Sequence, residues 1–185
     1  MMTSPGLMVR RLSIALLVMT VLTGCPRVLY LDYHPSASFT GSGPVRVDAF
    51  SYSGQPTGLM QQKEVESGKE DPEVLYLSQD IGEFFAGALR SELTRAGYEL
   101  RADASRTVSG AIEQFYLDYV GRTDQRFKIE TTFYVAVEGA TPFRTTCRSE
   151  QKQAKDWMKS GSLIEYGIRE CIEAFVKDAQ AAGAL

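Results

Sequence analysis

Residues 127–138 read FKIETTFYVAVE and form the most regular stretch of the chain. Alternate positions from Phe127 to Val137 are apolar or threonine, and most of the intervening side chains are polar or charged. A period of two predicts a β-strand with one buried face. Residues 139–142 are expected to turn the chain. The more polar residues 143–151 then predict a second strand at a sheet edge, where charge limits unwanted pairing.

Two further strands are predicted upstream. Residues 107–120 are rich in β-forming residues, but their apolar alternation changes phase, which predicts a bulge near Gln114. Val45, Val47 and Ala49 alternate with charged residues and predict the first strand of the fold. Residues 54–71 are polar and aperiodic, so we expect a long exposed loop there.

Two amphipathic helices complete the pattern. Apolar residues recur at spacings of three and four between Ser78, a candidate cap, and Gly97, which can end a helix in the left-handed conformation. Ser162 to Glu165 form a capping box before a second apolar face that reaches Ala179. The order β-α-β-β-β-α predicts the α+β class, with a mostly antiparallel four-stranded sheet and both helices packed on one face.

The N-terminus has the composition of a signal peptide. Arg10 and Arg11 precede the apolar run 12–22, which is too short to cross a bilayer as a helix. Leu22 to Cys25 resembles the lipobox of bacterial lipoproteins. We therefore predict cleavage after residue 24 and acylation of Cys25 with fatty chains such as palmitate.

This interpretation divides the chain into three parts. Residues 1–24 are the predicted signal peptide, 25–43 the lipidated N-terminus and tether, and 44–185 a single periplasmic domain. Residues 28–31 are more apolar than a linker requires, so they are expected to pack on the domain or, as the less favoured alternative, on a partner. Pro26 stands where enterobacterial lipoproteins kept at the inner membrane carry Asp, which predicts a lipid anchor at the periplasmic face of the outer membrane.

Three motifs resemble the YajG family of lipoproteins. The first combines Phe84-Phe85 with Leu93 and Gly97-Tyr98. The other two are IxQxYxD at residues 112–118 and FxIxT at residues 127–131. The resemblance implies an outer-membrane-anchored periplasmic domain with no assigned reaction. The order of elements is also similar to that of auxiliary lipoproteins of lipid-transport systems and of ring-forming secretion lipoproteins.

Cys147 and Cys171 form an even pair once Cys25 is acylated. Both positions are expected at the interface between sheet and helices, in a compartment that oxidises thiols. The residues alone leave two alternatives of equal weight, a disulfide and two separate buried thiols.

The sequence offers little for catalysis. His34 is the only histidine, so neither a histidine-based triad nor a multi-histidine metal site can be assembled. The carboxylates of residues 64–73 are expected to be solvated, and no glycine-rich phosphate loop is present. A formal net charge of -3 disfavours nucleic acid as a partner. We therefore expect no enzyme, no metal and no cofactor beyond the covalent lipid.

Four aromatic residues are candidates for an interaction surface, and Trp157 is alternatively a plug at the core edge. These residues are Tyr116, Tyr119, Tyr134 and Trp157. The sequence thus predicts a non-enzymatic interaction or assembly module of the cell envelope that binds a protein partner or copies of itself. One alternative is a lipid-binding or transport-auxiliary lipoprotein with an apolar pocket. Another is a glycan hydrolase, which requires two convergent carboxylates.

Overall fold

The computed structural model describes residues 27–54, 63–67, 75–120, 124–154 and 160–185. The helices of this part are α1 (Ile81–Ala96) and α2 (Ser160–Ala181). The strands are β1 (Arg27–Leu29), β2 (Pro44–Tyr52), β3 (Glu64–Val65), β4 (Leu75–Leu77), β5 (Glu99–Leu100), β6 (Arg106–Val120), β7 (Asp124–Val137) and β8 (Phe143–Ala154).

The main sheet has five strands in the order β5-β2-β6-β7-β8. Strands β6, β7 and β8 are antiparallel neighbours, whereas β2 is parallel to both β5 and β6. The α+β class is confirmed, but the prediction of a mostly antiparallel four-stranded sheet is wrong. The chain returns from β2 through α1 before it re-enters the sheet, and such a crossover brings strands together in parallel.

A second, three-stranded sheet has the order β1-β4-β3. It joins β6 through Glu66, whose N–H donates to the Phe115 carbonyl (3.0 Å) and whose carbonyl accepts from the Leu117 N–H (2.8 Å). The expectation of an exposed loop over residues 54–71 is therefore wrong for residues 64–66, and the Val65 side chain is buried. Residues 55–62 and 68–71 lie outside the described residues.

The boundaries of the helices differ in part from the predicted ones. Helix α1 is capped by Asp80, whose carboxylate accepts from the Glu83 N–H (3.1 Å), so the predicted Ser78 cap is two residues early. Its end at Gly97 is confirmed, with a φ of 104°. Helix α2 already begins at Ser160, so the predicted capping box at Ser162 lies inside the helix.

Phenylalanine rings fill the space between the main sheet and the helices. Phe133 stacks on Phe175 of α2 at 4.2 Å between centroids and contacts Phe50 and Phe85 at 5.7 and 5.8 Å. Strand β6 has the predicted irregularity between Ile112 and Gln114. A second irregularity, between Val47 and Phe50 of β2, exposes Ala49, which was expected to be buried.

Residues 27–43, here called the N-terminal strap, pack along both helices. Leu31 lies against Gly161 at the start of α2. Further along, the Gly41 N–H donates to the Ala96 carbonyl (2.9 Å) and the Gln180 amide donates to the Thr40 carbonyl (2.8 Å). The side chains that pack on the core are those of Leu29, Leu31, Tyr33, Ala37 and Phe39. The described part of the predicted tether is thus built into the domain, and the division of the chain at residues 24 and 43 stays a prediction.

Candidate functional site

A buried carboxylate holds the N-terminal strap to the helices. Glu92 of α1 is fully buried, and its Oε1 accepts from the Tyr33 hydroxyl at 2.6 Å. The backbone N–H of Ser36 lies 3.1 Å from both oxygens of the same carboxylate. An ionised carboxylate is costly to bury unless such donors satisfy it. Glu92 therefore fixes two points of the strap at once.

Arg169 of α2 completes this cluster. Its Nε lies 3.7 Å from Glu92 Oε1, as an ion pair without a hydrogen bond. Its Nη2 donates to the His34 carbonyl (2.9 Å) and to Glu165 Oε1 (3.3 Å). The guanidinium also faces the ring of Tyr33 at 5.9 Å from its centroid. We call the cluster of Tyr33, Glu92 and Arg169 the strap latch. The latch links the strap to both helices.

The latch changes the acidity of its tyrosine. Burial raises the pKa of the Tyr33 hydroxyl far above its usual range, and the hydrogen bond to Glu92 raises it further. The phenol therefore remains a proton donor to the carboxylate under all physiological conditions.

Sequence reasoning did not identify the latch. Glu92 occupies a position of α1 that the helical period assigns to the apolar face, together with Leu89 and Ala96. A charged residue on an apolar face indicates a buried partner. That partner, Tyr33, lies 59 residues earlier in the chain, and no local pattern identifies it.

The main sheet has an open edge along β2. Strand β5 is only two residues long, and the last bond on this side runs from the Arg101 N–H to the Val45 carbonyl (3.0 Å). The Val47 carbonyl instead accepts from Arg90 Nη2 of α1 at 3.3 Å. An arginine side chain thus occupies a place that a neighbouring strand would take.

A groove of about 310 Å³ lies at this edge, between β2, the end of β5 and the Arg90 side chain of α1. Arg46, Arg90 and Arg101 line it, together with Asp48 and the apolar side chain of Leu100. Arg46 pairs with Asp48 at 3.0 Å, and Arg101 pairs with Asp103 at 2.8 Å. This groove, here called the edge groove, places three arginines beside a strand edge that no further strand of the described residues covers, and each arginine is paired with a nearby carboxylate.

The sheet face opposite the helices is covered by ion pairs. Arg148 of β8 pairs with Glu130 of β7 at 2.6 Å, and this bond lowers the pKa of the Glu130 carboxyl. Towards the β6–β7 turn, Arg126 pairs with Asp118 (3.1 Å) and Lys128 with Glu150 (3.1 Å). This face is therefore a charged, solvated surface rather than an apolar one.

Two of the four residues of the predicted aromatic surface lie far apart. Tyr116 lies opposite Lys128 and Tyr134 opposite Ser109 in the β6–β7 ladder. Six residues of β7 separate these two positions, or about 20 Å. Tyr134 is partly exposed and faces the Arg144 guanidinium at 5.5 Å, whereas burial and Asp118 raise the pKa of the Tyr116 hydroxyl.

The structure describes only some of the remaining predicted site residues. Tyr119 is part of β6, opposite Gln125. Trp157 and Cys25 lie outside the described residues. Cys147 of β8 and Cys171 of α2 form a disulfide, with their α-carbons 5.4 Å apart. This bond links the edge strand of the main sheet to the last helix.

Neither a metal-binding group nor a membrane-spanning helix occurs among the described residues. No group of three or more His, Cys, Asp or Glu side chains in this part of the chain is placed to hold a metal ion. None of its helices is long and apolar enough to cross a membrane.

Comparison with known proteins is informative for the fold alone. No protein-family model matches the chain, and no curated protein matches it. The resemblance to the YajG family therefore stays a prediction.

Solved structures share the fold at low sequence identity. Protein XCC0632 from Xanthomonas campestris, described under the family model DUF330, has a TM-score of 0.61 and 11% identity, over 84% of this chain and 96% of that one. An uncharacterised protein has a TM-score of 0.60 and 12% identity, over 83% and 99%. The lipoprotein GNA1162 from Neisseria meningitidis is a more distant neighbour, with a TM-score of 0.42 and 7% identity, over 75% and 99%.

Proposed function

We propose that the chain is a lipid-anchored lipoprotein of the outer membrane, exposed to the periplasm, that acts without catalysis as an interaction or assembly module of the envelope. One observation carries the proposal: Cys25, at the end of a signal-like segment, comes two residues before a strap that is built into the fold. An N-terminus cut before Cys25 would leave that strap intact. The domain and the anchor are therefore compatible as one unit.

The edge groove supports the interaction part of the proposal. An extended peptide from a partner or a second copy can add to an open sheet edge through main-chain hydrogen bonds. Arg90 would have to release the Val47 carbonyl, and the three arginines would then face the incoming strand. A partner segment with acidic side chains would suit this groove.

The anchor is tested on the full chain produced in a bacterium. Intact-mass analysis and palmitate labelling of the membrane fraction are compared between the native protein and Cys25→Ser. We expect acyl chains and membrane association for the native protein, and neither for the variant. Equal membrane association without acylation would contradict the anchor.

The partner is tested by purification of the acylated protein from gently solubilised envelopes, with mass spectrometry of the proteins that accompany it. Arg101→Glu reverses a charge that lines the edge groove. Arg95→Glu makes the same change on an exposed part of α1 that does not line the groove. We expect Arg101→Glu to lose the partner and Arg95→Glu to retain it. Equal recovery would exclude the groove as the binding site.

The lipid-transport alternative has one observation in its favour. The strap covers apolar core residues with Leu31, Tyr33 and Phe39, so its release would uncover a surface suited to an acyl chain. The phenylalanine rings already occupy the space between sheet and helices where an internal pocket was expected. A stoichiometric lipid beyond the anchor, recovered without a protein partner, would favour this alternative.

A further inference from the structure

The path of the chain fixes where the proposed anchor meets the domain. Arg27 is already paired with Leu75, Val28 with Tyr76 and Leu29 with Leu77 in the parallel ladder of β1 and β4. The Leu29 carbonyl also accepts from the Ser78 N–H at 2.9 Å. The strap is therefore fixed to the domain from its first described residue.

Little chain remains between this point and Cys25. Two residues span at most about 7 Å even when fully extended. The polar headgroup region of one leaflet is itself roughly 5 to 8 Å deep. If acyl chains on Cys25 enter the hydrocarbon, the start of β1 must lie at the headgroups, because no tether is left to hold the domain away.

The surface at this end of the domain suits such a position. Five large hydrophobic side chains among the described residues are exposed, and three of them belong here. Tyr30 is 83% exposed, Tyr166 57% and Val28 37%. Val28 and Tyr30 alternate with Leu29 and Leu31, which pack on the core. Tyrosines with an apolar ring and a polar tip are enriched at membrane–water interfaces.

Tyr166 belongs to the same end of the molecule. Leu31 of the strap contacts Gly161, and Tyr166 lies five residues further along α2, or about 7.5 Å. The residue after Tyr166 lies against Phe127, near the start of β7, which runs for 14 residues, so the β7–β8 turn marks the opposite end. That length corresponds to about 45 Å.

We propose that this end of the domain, with Val28, Tyr30 and Tyr166 at its surface, rests directly on the lipid bilayer. The inference rests on the proposed acylation of Cys25 and goes beyond it, since it assigns an orientation. The β7–β8 turn then points away from the membrane. The edge groove lies along the side of the domain, open to a partner that approaches in the periplasm.

The test places a probe at each end of the intact acylated protein. Tyr30→Cys and Ala140→Cys, both at exposed positions, are labelled with an environment-sensitive fluorophore. Each protein is reconstituted into vesicles of phosphatidylethanolamine and phosphatidylglycerol that contain a headgroup spin-labelled lipid as quencher. We expect quenching at position 30 to exceed that at position 140 severalfold.

The outcomes separate the two proposals. Equal quenching at both positions, in protein whose mass shows acylated Cys25, overturns the orientation and leaves the anchor standing. A mass without acyl chains overturns the anchor, and the orientation falls with it. A fluorophore on Tyr166→Cys measures quenching at a second position of the same end of the domain. We expect its quenching to exceed that at position 140.

Discussion

The Tyr33 hydroxyl lies 2.6 Å from a carboxylate oxygen of Glu92, a residue 59 positions later in the chain. The bond joins the strap that follows the proposed anchor to helix α1. Because Glu92 also accepts from the Ser36 N–H, its loss would free two donors of the strap at once.

Substitution of Glu92 should release the strap. Glutamine at this position keeps one acceptor oxygen but turns an amide N–H₂ group towards one of the two strap donors. We therefore expect Glu92→Gln to lower the free energy of unfolding by about 1 to 3 kcal/mol. Urea denaturation measures this, and limited proteolysis reports whether the strap is cut first. Glu83→Gln, on the exposed side of the same helix, is the control and should change stability by less than about 0.5 kcal/mol. Equal effects of the two substitutions would contradict a latch.

The raised pKa of Tyr33 predicts a loss of stability in alkali. The unfolded phenol ionises near pH 10, roughly the usual value, while the folded one keeps its proton. The contribution of the Tyr33 hydroxyl to the free energy of unfolding is therefore fully present below about pH 10. It declines as the pH rises further, by at most about 1.4 kcal/mol per pH unit. Chemical denaturation across this range should show a weaker decline in Tyr33→Phe than in the native protein. Tyr166→Phe, at an exposed position, should leave the decline unchanged, and the idea fails if the two variants behave alike.

Two glycines of α1 should respond in opposite directions to alanine. A β-carbon at Gly82 would overlap the Phe50 carbonyl of β2, whereas one at Gly87 would meet no atom within 4 Å. We expect Gly82→Ala to cost about 1 to 3 kcal/mol because the helix must move off the strand. Gly87→Ala should stabilise by about 0.5 to 1 kcal/mol through helix propensity. Thermal unfolding of the pair measures both, and a gain at position 82 would show that the helix does not approach β2 so closely.

Loss of the disulfide should weaken the attachment of α2 to the sheet. The bond closes a loop across a separation of 24 residues, for which chain entropy predicts about 3 kcal/mol of stabilisation. We expect the double variant Cys147→Ala and Cys171→Ala to lose a comparable amount in urea denaturation. Reduced native protein provides the comparison without a change in side-chain volume. Thiol titration of the unfolded, unreduced protein should find neither cysteine free, and two free thiols would exclude the bond.

The longest regular elements could be predicted from the sequence because their periods repeat several times. Strand β7 and the apolar faces of both helices follow directly from alternation and from spacings of three and four. Strands of two or three residues, such as β3 and β5, are too short to show a period, and their existence depends on the partner strand. The parallel pairing of β2 with its neighbours likewise follows from the crossover through α1 and not from the residues of β2.

The strap shows why the candidate site was harder to predict than the fold. Leu29, Leu31 and Tyr33 do alternate with exposed residues, yet the serines, glycines and prolines that follow are typical of a linker. Glu92 interrupts an apolar helix face, which indicates a buried partner without naming it. The edge groove has no sequence signal at all, because it exists where a strand ends early.

The path of the strap also has a consequence for the order of folding. The Arg169 guanidinium donates to the His34 carbonyl and the Gln180 amide to the Thr40 carbonyl, across 135 and 140 residues. Contacts of such long sequence separation form slowly and require both partners to have been synthesised. The strap therefore finds part of its final partners only after helix α2 has been synthesised. During that interval Cys25 would stay open to the acylation proposed above.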